Sequence, residues 1–429
     1  MKSLYIEDLK DKIGQDVVIY GWVHRKRRHG NLIFIVIRDG TGIVQTSVKR
    51  DKVDDSSFTA AFDVTYESSV CVTGKVAQDA RAPDGIEVVV KEFNTLNLSP
   101  EFPIKKDTGT EVLMDLRHLH LRSRRLTNIM KTRKYAVDYL REFFDERGFW
   151  EVSPPIFTQA GVEGGSTLFN IKYFDTQVYL SQSAQLYNEA FITSLEKIYV
   201  LAPSFRAEKS RTPRHLIEYW HLEEEAAFYD NEDNMKFQED MVSYVCEKLT
   251  VKHGELLEFF GRSPGELRSV QPPFPRMRYE KAVELLQSLG SGIQHGDDLG
   301  AEDERLLTED LSLPIFVTHY PYRAKPFYMR RDPEDPGYVL NADLLAPEGH
   351  GEIVGGSERI WKYDELVERI HEDNLPEEAY SWYIDLRRYG SVPHSGFGMG
   401  IERLLKWILK LEHIRDAVPF PRTPSRVSP

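Results

Sequence analysis

The 429-residue sequence contains only two cysteines, Cys71 and Cys246, which excludes a disulfide framework and a cysteine zinc site. No apolar stretch approaches the roughly 18 to 20 residues that a membrane-spanning helix requires. The first residues also lack the apolar segment of a secretory signal peptide. Together with 29% charged residues, these absences predict a reduced, cytoplasmic protein that makes no membrane contact.

The common nucleotide-binding motifs are absent as well. The sequence has no Gly-x-x-x-x-Gly-Lys-Ser/Thr motif, which excludes a P-loop site. The segment 396–400 (Gly-Phe-Gly-Met-Gly) has the wrong spacing for a dinucleotide fingerprint. We expect its glycines to permit close backbone packing where a strand leads into a helix that begins at Ile401.

Acidic residues outnumber basic residues, and the net charge is −13. The chain as a whole therefore lacks the basic surface that phosphate binding requires. The first 50 residues differ, because their ten basic and five acidic side chains give +5, whereas the rest of the chain carries −18. A basic segment on an acidic body fits a local nucleic-acid contact, although the run 25–28 (Arg-Lys-Arg-Arg) would also suit a solvated loop.

The first hundred residues alternate short β-rich runs with turns, a pattern typical of a small barrel. A basic segment precedes the second predicted strand, and the strands contain the aromatic residues Trp22 and Phe34. This combination favours an OB-fold, whose sheet face stacks unpaired bases. Aromatic residues in strands also occur in ordinary cores, so base stacking is one of two interpretations. The predicted strands are 17–24, 32–38, 42–48, 70–76 and 86–93.

The rest of the chain has a different organisation. After an irregular polar stretch, a long amphipathic helix carries Ile129, Leu140 and Phe144 on one face and is closed by Gly148. Strands and helices then follow in irregular order, without the alternation of βαβ units. We therefore predict an α+β domain with a mainly antiparallel sheet. The predicted bounds are 1–98 for the OB-fold, 99–128 for a hinge and 129–429 for this second domain.

A cation-rich loop joins two predicted strands near the middle of the chain. The segment 205–208 (Phe-Arg-Ala-Glu) leads into this loop, which contains Arg214 and His215. Arg206 on a rigid strand can hold a planar anion with two parallel hydrogen bonds. Glu208 can accept from an adenine or an amine, and His215 can stack on a ring. A salt-bridged β-ribbon would explain the same residues.

Three segments resemble the motifs of the class II aminoacyl-tRNA synthetases. Residues 148–155 (Gly-Phe-Trp-Glu-Val-Ser-Pro-Pro) are similar to motif 1, residues 205–223 to motif 2 and residues 398–403 (Gly-Met-Gly-Ile-Glu-Arg) to motif 3. Together with the OB-fold, the resemblance covers the whole chain and is to the short archaeal form of the aspartyl/asparaginyl subgroup. It implies an α+β fold in which an N-terminal OB-fold β-barrel precedes a catalytic domain with an antiparallel sheet flanked by helices. It also implies a homodimer with motif 1 at the interface.

One position bears on the choice of amino acid. Aspartyl enzymes that resemble this chain carry a lysine after a Gln-Leu-aromatic triplet, and its charge pairs with the substrate carboxylate. Here that residue is Asn188, followed by Glu189, which favours an amide over a carboxylate. Arg359 lies in a segment that resembles the asparaginyl version, and with Glu189 it is the expected pair that binds the amide. The resemblance thus implies that asparagine is activated with ATP and transferred to tRNA(Asn).

Three other functions remain open from the sequence. The first is an aspartyl-tRNA synthetase, possibly one that charges both tRNAs, and Asn188 argues against it. The second is an ATP-dependent asparagine synthetase on the same catalytic domain, which would not need an OB-fold. The third is a non-catalytic RNA-binding paralogue, which the intact motif residues disfavour.

The resemblance also implies roles in the reaction with ATP. In-line attack of the amino-acid carboxylate on the α-phosphorus requires positioning and charge neutralisation, not a protein nucleophile. Arg206 is implied to hold the α-phosphate and the carboxylate, Arg403 the γ-phosphate, and with Glu208 they are the expected catalytic residues. The expected ATP contacts are Arg206, Ala207, Glu208, Arg214, His215, Leu216, Glu352, Gly400, Ile401, Glu402 and Arg403.

The remaining expected contacts concern Mg²⁺, the amino acid and the tRNA. Glu352 is the expected Mg²⁺ ligand, with Asp343 as a second, because Gly355 stands where many aspartyl enzymes have a serine. The mobile-loop residue Glu163 is implied to bind the amino acid's ammonium group. The expected amino-acid contacts are Glu163, Gln182, Gln185, Glu189, Arg206, Gly355 and Arg359.

In this subgroup the middle anticodon base stacks on an OB-fold aromatic residue and is bound by a glutamine eleven residues later. Phe34 and Gln45 have this spacing, and with Arg25 they are the expected anticodon contacts. The middle base is U in both the Asp and the Asn anticodons. This pair therefore does not decide between the two amino acids.

Overall fold

The computed structural model describes residues 2, 4–162, 167–208, 212 and 214–429. The chain divides into two compact units, Met1–Leu113 and Met114–Pro429. Their boundary falls inside the segment 99–128 that the sequence assigns to a hinge, and the three predicted domain bounds stay predictions. Among the described residues, no helix is long and apolar enough to cross a membrane.

The first unit is a closed five-stranded barrel, as predicted, with the strand order β1-β2-β3-β5-β4. Its strands alternate buried and exposed side chains, so one face forms the barrel core. Two glycines let neighbouring strands approach, because a Cβ at Gly21 would lie 2.5 Å from the carbonyl oxygen of Arg38, and one at Gly74 would lie 2.4 Å from that of Val89. The elements are β1 (Asp16–His29), β2 (Leu32–Arg38), β3 (Ile43–Lys49), α1 (Asp55–Asp63), β4 (Ser69–Gln78) and β5 (Ile86–Asn97).

The second unit is built on an eight-stranded sheet with the order β12-β13-β14-β15-β16-β11-β10-β6. The six inner strands pair antiparallel, as expected, but the edge pairs β12–β13 and β10–β6 are parallel. Parallel neighbours require a long crossover, and both of these connections contain helices. The sheet strands are β6 (Trp150–Glu151), β10 (Lys197–Phe205), β11 (Glu218–Ala227), β12 (Arg276–Arg278), β13 (Ile315–Thr318), β14 (Asn341–Ala346), β15 (Gly351–Glu358) and β16 (His394–Gly400).

A second, three-stranded sheet lies between β6 and β10 in the sequence, in the order β7-β9-β8. Its strands pair antiparallel throughout. The bounds are β7 (Phe157–Thr158), β8 (Asn170–Tyr173) and β9 (Thr176–Leu180).

Helices cover the large sheet, and α4 carries the predicted apolar face. Ile129, Leu140 and Phe144 are buried, and the Phe144 ring stacks on Tyr199 of β10 with 4.5 Å between the ring centroids. Gly148, which follows this helix, has a φ of +72°, a conformation that favours glycine. The helices are α2 (Thr110–Asp115), α3 (Arg117–His120), α4 (Arg124–Glu146), α5 (Gln185–Leu195), α6 (Asn231–Phe259), α7 (Pro264–Arg268), α8 (Tyr279–Ser288), α9 (Ala301–Thr308), α10 (Tyr363–Glu372), α11 (Ser381–Arg388) and α12 (Ile401–Ile408).

Candidate active site and nucleic-acid surface

Glycines keep the centre of the large sheet open. Gly396 and Gly398 of β16 pair with Glu225 and Glu223 of β11. A Cβ at Gly396 would lie 2.2 Å from Glu225 Oε2, and one at Gly398 would lie 2.5 Å from His221 Nε2. Because neither position can hold a side chain, these glycines leave room for the polar side chains of β11. This confirms the close packing that the Gly-Phe-Gly-Met-Gly segment predicts.

Two adjoining cavities lie above this part of the sheet. The smaller one has a volume of about 60 Å³ and the larger one about 380 Å³, and Arg206 and Glu352 line both. Of the expected ATP contacts, Ile401 is buried in the core and the Ala207 amide donates to the Thr167 carbonyl. The others line the smaller cavity: Arg206, Glu208, Arg214, His215, Leu216, Glu352, Gly400, Glu402 and Arg403.

Ion pairs orient the cations of the smaller cavity. Arg403 Nη1 of α12 lies 3.0 Å from Glu352 Oε2. Arg214 Nη2 lies 2.6 Å from Glu304 Oε2 of α9, and the Glu352 amide donates to the same oxygen at 2.6 Å. Burial alone would raise the pKa of Glu352, but the charges of Arg403, Arg214 and Lys325 lower it to about 2. Glu352 is therefore an anion under all ordinary conditions.

Glu402 has a different neighbourhood from the other motif 3 residues. Its buried carboxylate accepts from Arg133 Nη1 of α4 at 2.7 Å and from the Trp220 amide of β11 at 3.1 Å. Both carboxylate oxygens thus have partners in the protein. Glu402 ties α4 and β11 to the start of α12, the helix that carries Arg403.

The expected metal ligands lie next to each other at the boundary of the two cavities. Asp343 of β14 pairs with Gly355 of β15, and Glu352 precedes Gly355 on the same strand. Lys325 Nζ lies 2.9 Å from Asp343 Oδ2 and 3.0 Å from Asp298 Oδ1. Burial raises the pKa of Asp343 above its ordinary value, while Lys325 opposes that shift. Carboxylate oxygens are the hard donors that Mg²⁺ prefers.

The larger cavity contains most of the expected amino-acid contacts. Gln185, Arg206, Gly355 and Arg359 line it, and Asn188 lines it as well. Asn188 is fully buried, and neither its Oδ1 nor its Nδ2 has a hydrogen-bond partner in the described part of the chain. Leaving a buried amide without hydrogen-bond partners costs free energy. This indicates that a ligand pairs with Asn188.

The expected pair of Arg359 with Glu189 is wrong. Arg359 Nε and Nη2 instead bind Glu225 Oε1 and Oε2 at 3.0 and 3.1 Å. Glu189 does not line the larger cavity, because its carboxylate points toward Arg387 and His394. Adjacent residues of a helix lie about 100° apart, so Asn188 and Glu189 of α5 cannot face the same space.

Two expected contacts lie elsewhere or outside the described residues. Gln182 does not line the larger cavity; its Oε1 accepts from the Val162 amide at 3.2 Å and its Nε2 donates to Thr167 Oγ1 at 2.6 Å. Gln182 thus ties together the two ends of the segment that contains Glu163. Glu163 itself lies outside the described residues.

Several side chains of this site were not predicted from the sequence. Glu225, Lys325 and Asp298 line the larger cavity, and Glu304 supports Arg214 from α9. The three adjacent glutamates at 223–225 were the available signal, since a strand rarely buries three carboxylates without a reason.

On the barrel, Phe34 and Gln45 line one cavity of about 370 Å³ together with Arg27 and Arg28. Phe34 of β2 pairs with Arg27 of β1, so the ring and the guanidinium project from adjacent positions. Arg25 is exposed and does not line this cavity. The arrangement offers a ring for stacking, an amide for hydrogen bonds and cations for phosphate.

Comparison with known proteins agrees with these two sites. Residues 109–424 match the family described as tRNA synthetases class II (D, K and N), and residues 17–96 match the OB-fold nucleic acid binding domain. The asparagine–tRNA ligase of Thermoplasma acidophilum is 48% identical to this chain over 429 residues. The asparagine–tRNA ligase of Thermococcus gammatolerans is 50% identical to it over 428 residues. Each of these alignments covers 99% or more of both chains. A crystal structure of asparaginyl-tRNA synthetase from Pyrococcus horikoshii, complexed with asparaginyl-adenylate, superimposes with a TM-score of 0.98 at 49% identity, covering all of both chains.

Proposed function

Because the chain belongs to the class II tRNA synthetases, and within them to the asparagine–tRNA ligases, we propose that it activates asparagine with ATP and transfers it to tRNA(Asn). The observation that carries this proposal is the position of Arg206, which lines both cavities. One guanidinium there can hold the amino-acid carboxylate and the α-phosphate together.

In the first step, a carboxylate oxygen of asparagine forms a bond to the α-phosphorus while the bond to the bridging oxygen breaks. Pyrophosphate leaves and asparaginyl-adenylate remains. Arg206 neutralises the charge at the α-phosphorus, and Arg403 and Arg214 stabilise the departing pyrophosphate. In the second step, a hydroxyl of the terminal ribose of the tRNA attacks the carbonyl carbon, and AMP leaves.

The charges around the larger cavity favour asparagine over aspartate. Arg359, a cation of its wall, is already bound by the Glu225 carboxylate at 3.0 and 3.1 Å, so a substrate carboxylate would have to compete with Glu225 for it. Asn188 offers one donor and one acceptor, which match the oxygen and the NH₂ group of a substrate amide. A carboxylate cannot donate to Asn188 Oδ1, and that buried atom would stay unpaired.

We also propose that Mg²⁺ acts with ATP and is held by Glu352 and Asp343. When bound, the ion neutralises phosphate oxygens and fixes their orientation. The pair of carboxylates at Gly355 supports this assignment, because Mg²⁺ in phosphoryl-transfer sites uses one or two carboxylates together with substrate phosphates.

We also propose that the chain forms a homodimer and acts in the cytoplasm. Motif 1 contains the edge strand β6, where the Trp150 side chain is 61% exposed, and Phe174 beside β8 is 80% exposed. Large exposed aromatic side chains next to an edge strand are suited to an interface between chains. Sedimentation or light scattering of the parent and of Trp150→Asp tests this part, since the variant should shift toward the monomer. An unchanged dimer in Trp150→Asp would place the interface elsewhere.

For the tRNA we propose that Phe34 stacks on the middle anticodon base, that Gln45 hydrogen-bonds to its edge and that Arg25 contacts the backbone. Phe34 and Gln45 line one cavity of the barrel, which supports the first two roles. The exposed position of Arg25 supports a phosphate contact.

Pyrophosphate exchange with asparagine and with aspartate as separate substrates tests the proposed reaction. We expect exchange with asparagine alone, followed by aminoacylation of tRNA(Asn) but not of tRNA(Asp). Better exchange with aspartate would assign the chain an aspartyl activity instead. Exchange without any tRNA charging would point to an asparagine-activating enzyme whose barrel binds another ligand.

A further inference from the structure

Glu189 of α5 lies behind the larger cavity and is buried, with 2% of its surface exposed. Among the described residues, four side chains contact its carboxylate. Gln185 Nε2 donates to Oε1 at 3.0 Å, and the Tyr383 hydroxyl lies 2.8 and 2.9 Å from the two oxygens. Arg387 Nη2 and His394 Nε2 both bind Oε2, the latter at 3.0 Å. A carboxylate so completely occupied cannot also bind a substrate.

Two contacts fix the position of the His394 ring. Its Nε2 faces the Glu189 carboxylate at 3.0 Å, and its Nδ1 faces the Val392 carbonyl oxygen at 2.7 Å. Both contacts are to oxygen atoms, so the ring bridges the Glu189 carboxylate and the backbone. The cation that balances Glu189 is Arg387.

This group touches the residues that face the cavity. One carboxylate oxygen each of Glu189 and Glu225 and a ring nitrogen of His394 lie within 4.8 Å of one another. Glu225 in turn holds Arg359 through two hydrogen bonds, and both of these residues line the cavity. Gln185, which Glu189 also holds, lines the cavity too. The charge of Glu189 thus acts on the cavity at short range without being part of its wall.

We propose that Glu189 is a positioning residue whose negative charge makes the cavity accept an amide and reject a carboxylate. Without that charge, Arg387 would be left as an uncompensated cation behind the Glu225–Arg359 pair. Its field would weaken the hold of Arg359 on Glu225 and attract a substrate carboxylate. This inference rests on the proposed function, because it explains the choice between asparagine and aspartate.

Two substitutions of opposite charge test the proposal. Selectivity is measured as the inhibition constant of aspartate in asparagine-dependent pyrophosphate exchange, divided by the KM for asparagine. We expect Glu189→Gln to lower this ratio on the order of tenfold with little change in the KM for ATP. Arg387→Gln removes a cation and should raise the ratio, and Arg387→Lys, which keeps the charge, should leave it near the parent value.

A purely structural role of Glu189 would move both charge variants in the same direction. The proposal is wrong if Glu189→Gln stays within twofold of the parent, or if Arg387→Gln also lowers the ratio. If Glu189→Gln does not fold, the comparison of Arg387→Gln with Arg387→Lys decides the question by the same criterion. Failure of the proposed function would show differently, as a parent enzyme that does not use asparagine.

Discussion

Asp343 lies opposite Gly355 in the pairing of β14 with β15, and the absent side chain of Gly355 leaves a space between two carboxylates. A Cβ at Gly355 would lie 3.3 Å from Glu352 Oε1 and 3.6 Å from Asp343 Oδ1. Both oxygens thus converge on one small volume at the boundary of the two cavities. That volume is the proposed Mg²⁺ position.

Gly355→Ala should therefore weaken metal use, because the methyl group would crowd Glu352 Oε1. We expect the Mg²⁺ concentration for half-maximal pyrophosphate exchange to rise on the order of tenfold, with a smaller change in Tm. Gly356→Ala is the matched control. Its Cβ would lie 2.8 Å from Gln238 Nε2 of α6, so it should lower Tm without changing the Mg²⁺ requirement. If Gly355→Ala and Gly356→Ala need the same Mg²⁺ concentration for half-maximal exchange, the space at Gly355 is not the Mg²⁺ position.

Arg206→Ala should nearly abolish adenylate formation. Loss of a charge-assisted contact to developing negative charge costs on the order of 3 kcal/mol, which is more than a hundredfold in rate. Pyrophosphate exchange measures the effect, and Arg323→Ala, which removes an exposed arginine, is the control. Exchange by Arg206→Ala within a few-fold of the parent would mean that the cation-rich loop between β10 and β11 is not part of the ATP site.

Much of the fold could be predicted from the sequence because its signals are local. The five barrel strands and the apolar face of α4 follow from side-chain periodicity, and the closing Gly148 from its conformational freedom. The two parallel edge pairs could not be predicted in this way. Pairing of β6 with β10 joins residues such as Trp150 and Ile198, and no local pattern encodes such a distant partner.

The site residues likewise divide into those that local sequence signals predict and those that depend on distant partners. Phe34 and Gln45 share a cavity because they lie on adjacent strands joined by a tight turn. The error at Glu189 has a nonlocal cause: Arg387 is 198 residues away along the chain and occupies the carboxylate that sequence reasoning assigned to substrate. Partner choice among buried charges depends on the tertiary fold, so it cannot be read from residue types.

Phe34→Ala should separate tRNA recognition from amino-acid activation. Removing a stacked base costs about 1 to 3 kcal/mol, so kcat/KM for aminoacylation should fall several-fold or more. Exchange without tRNA should stay near the parent value. Tyr20→Ala, which removes an exposed barrel aromatic outside the cavity that the half-buried Phe34 lines, should change neither assay. Equal losses of both activities in Phe34→Ala would instead identify the ring as part of the barrel core.

Asn188→Lys should admit aspartate. Asn188 is fully buried in the wall of the larger cavity, and an ammonium group there would attract a substrate carboxylate and form ion pairs with the surrounding carboxylates. We expect measurable aspartate-dependent exchange and a loss of asparagine-dependent exchange on the order of tenfold or more, since the amide of Asn188 no longer pairs with the substrate amide. Asn188→Leu is the matched neutral control: it should lose asparagine activity without gaining aspartate activity. If the lysine and leucine variants behave alike, the charge at position 188 does not determine which amino acid is activated.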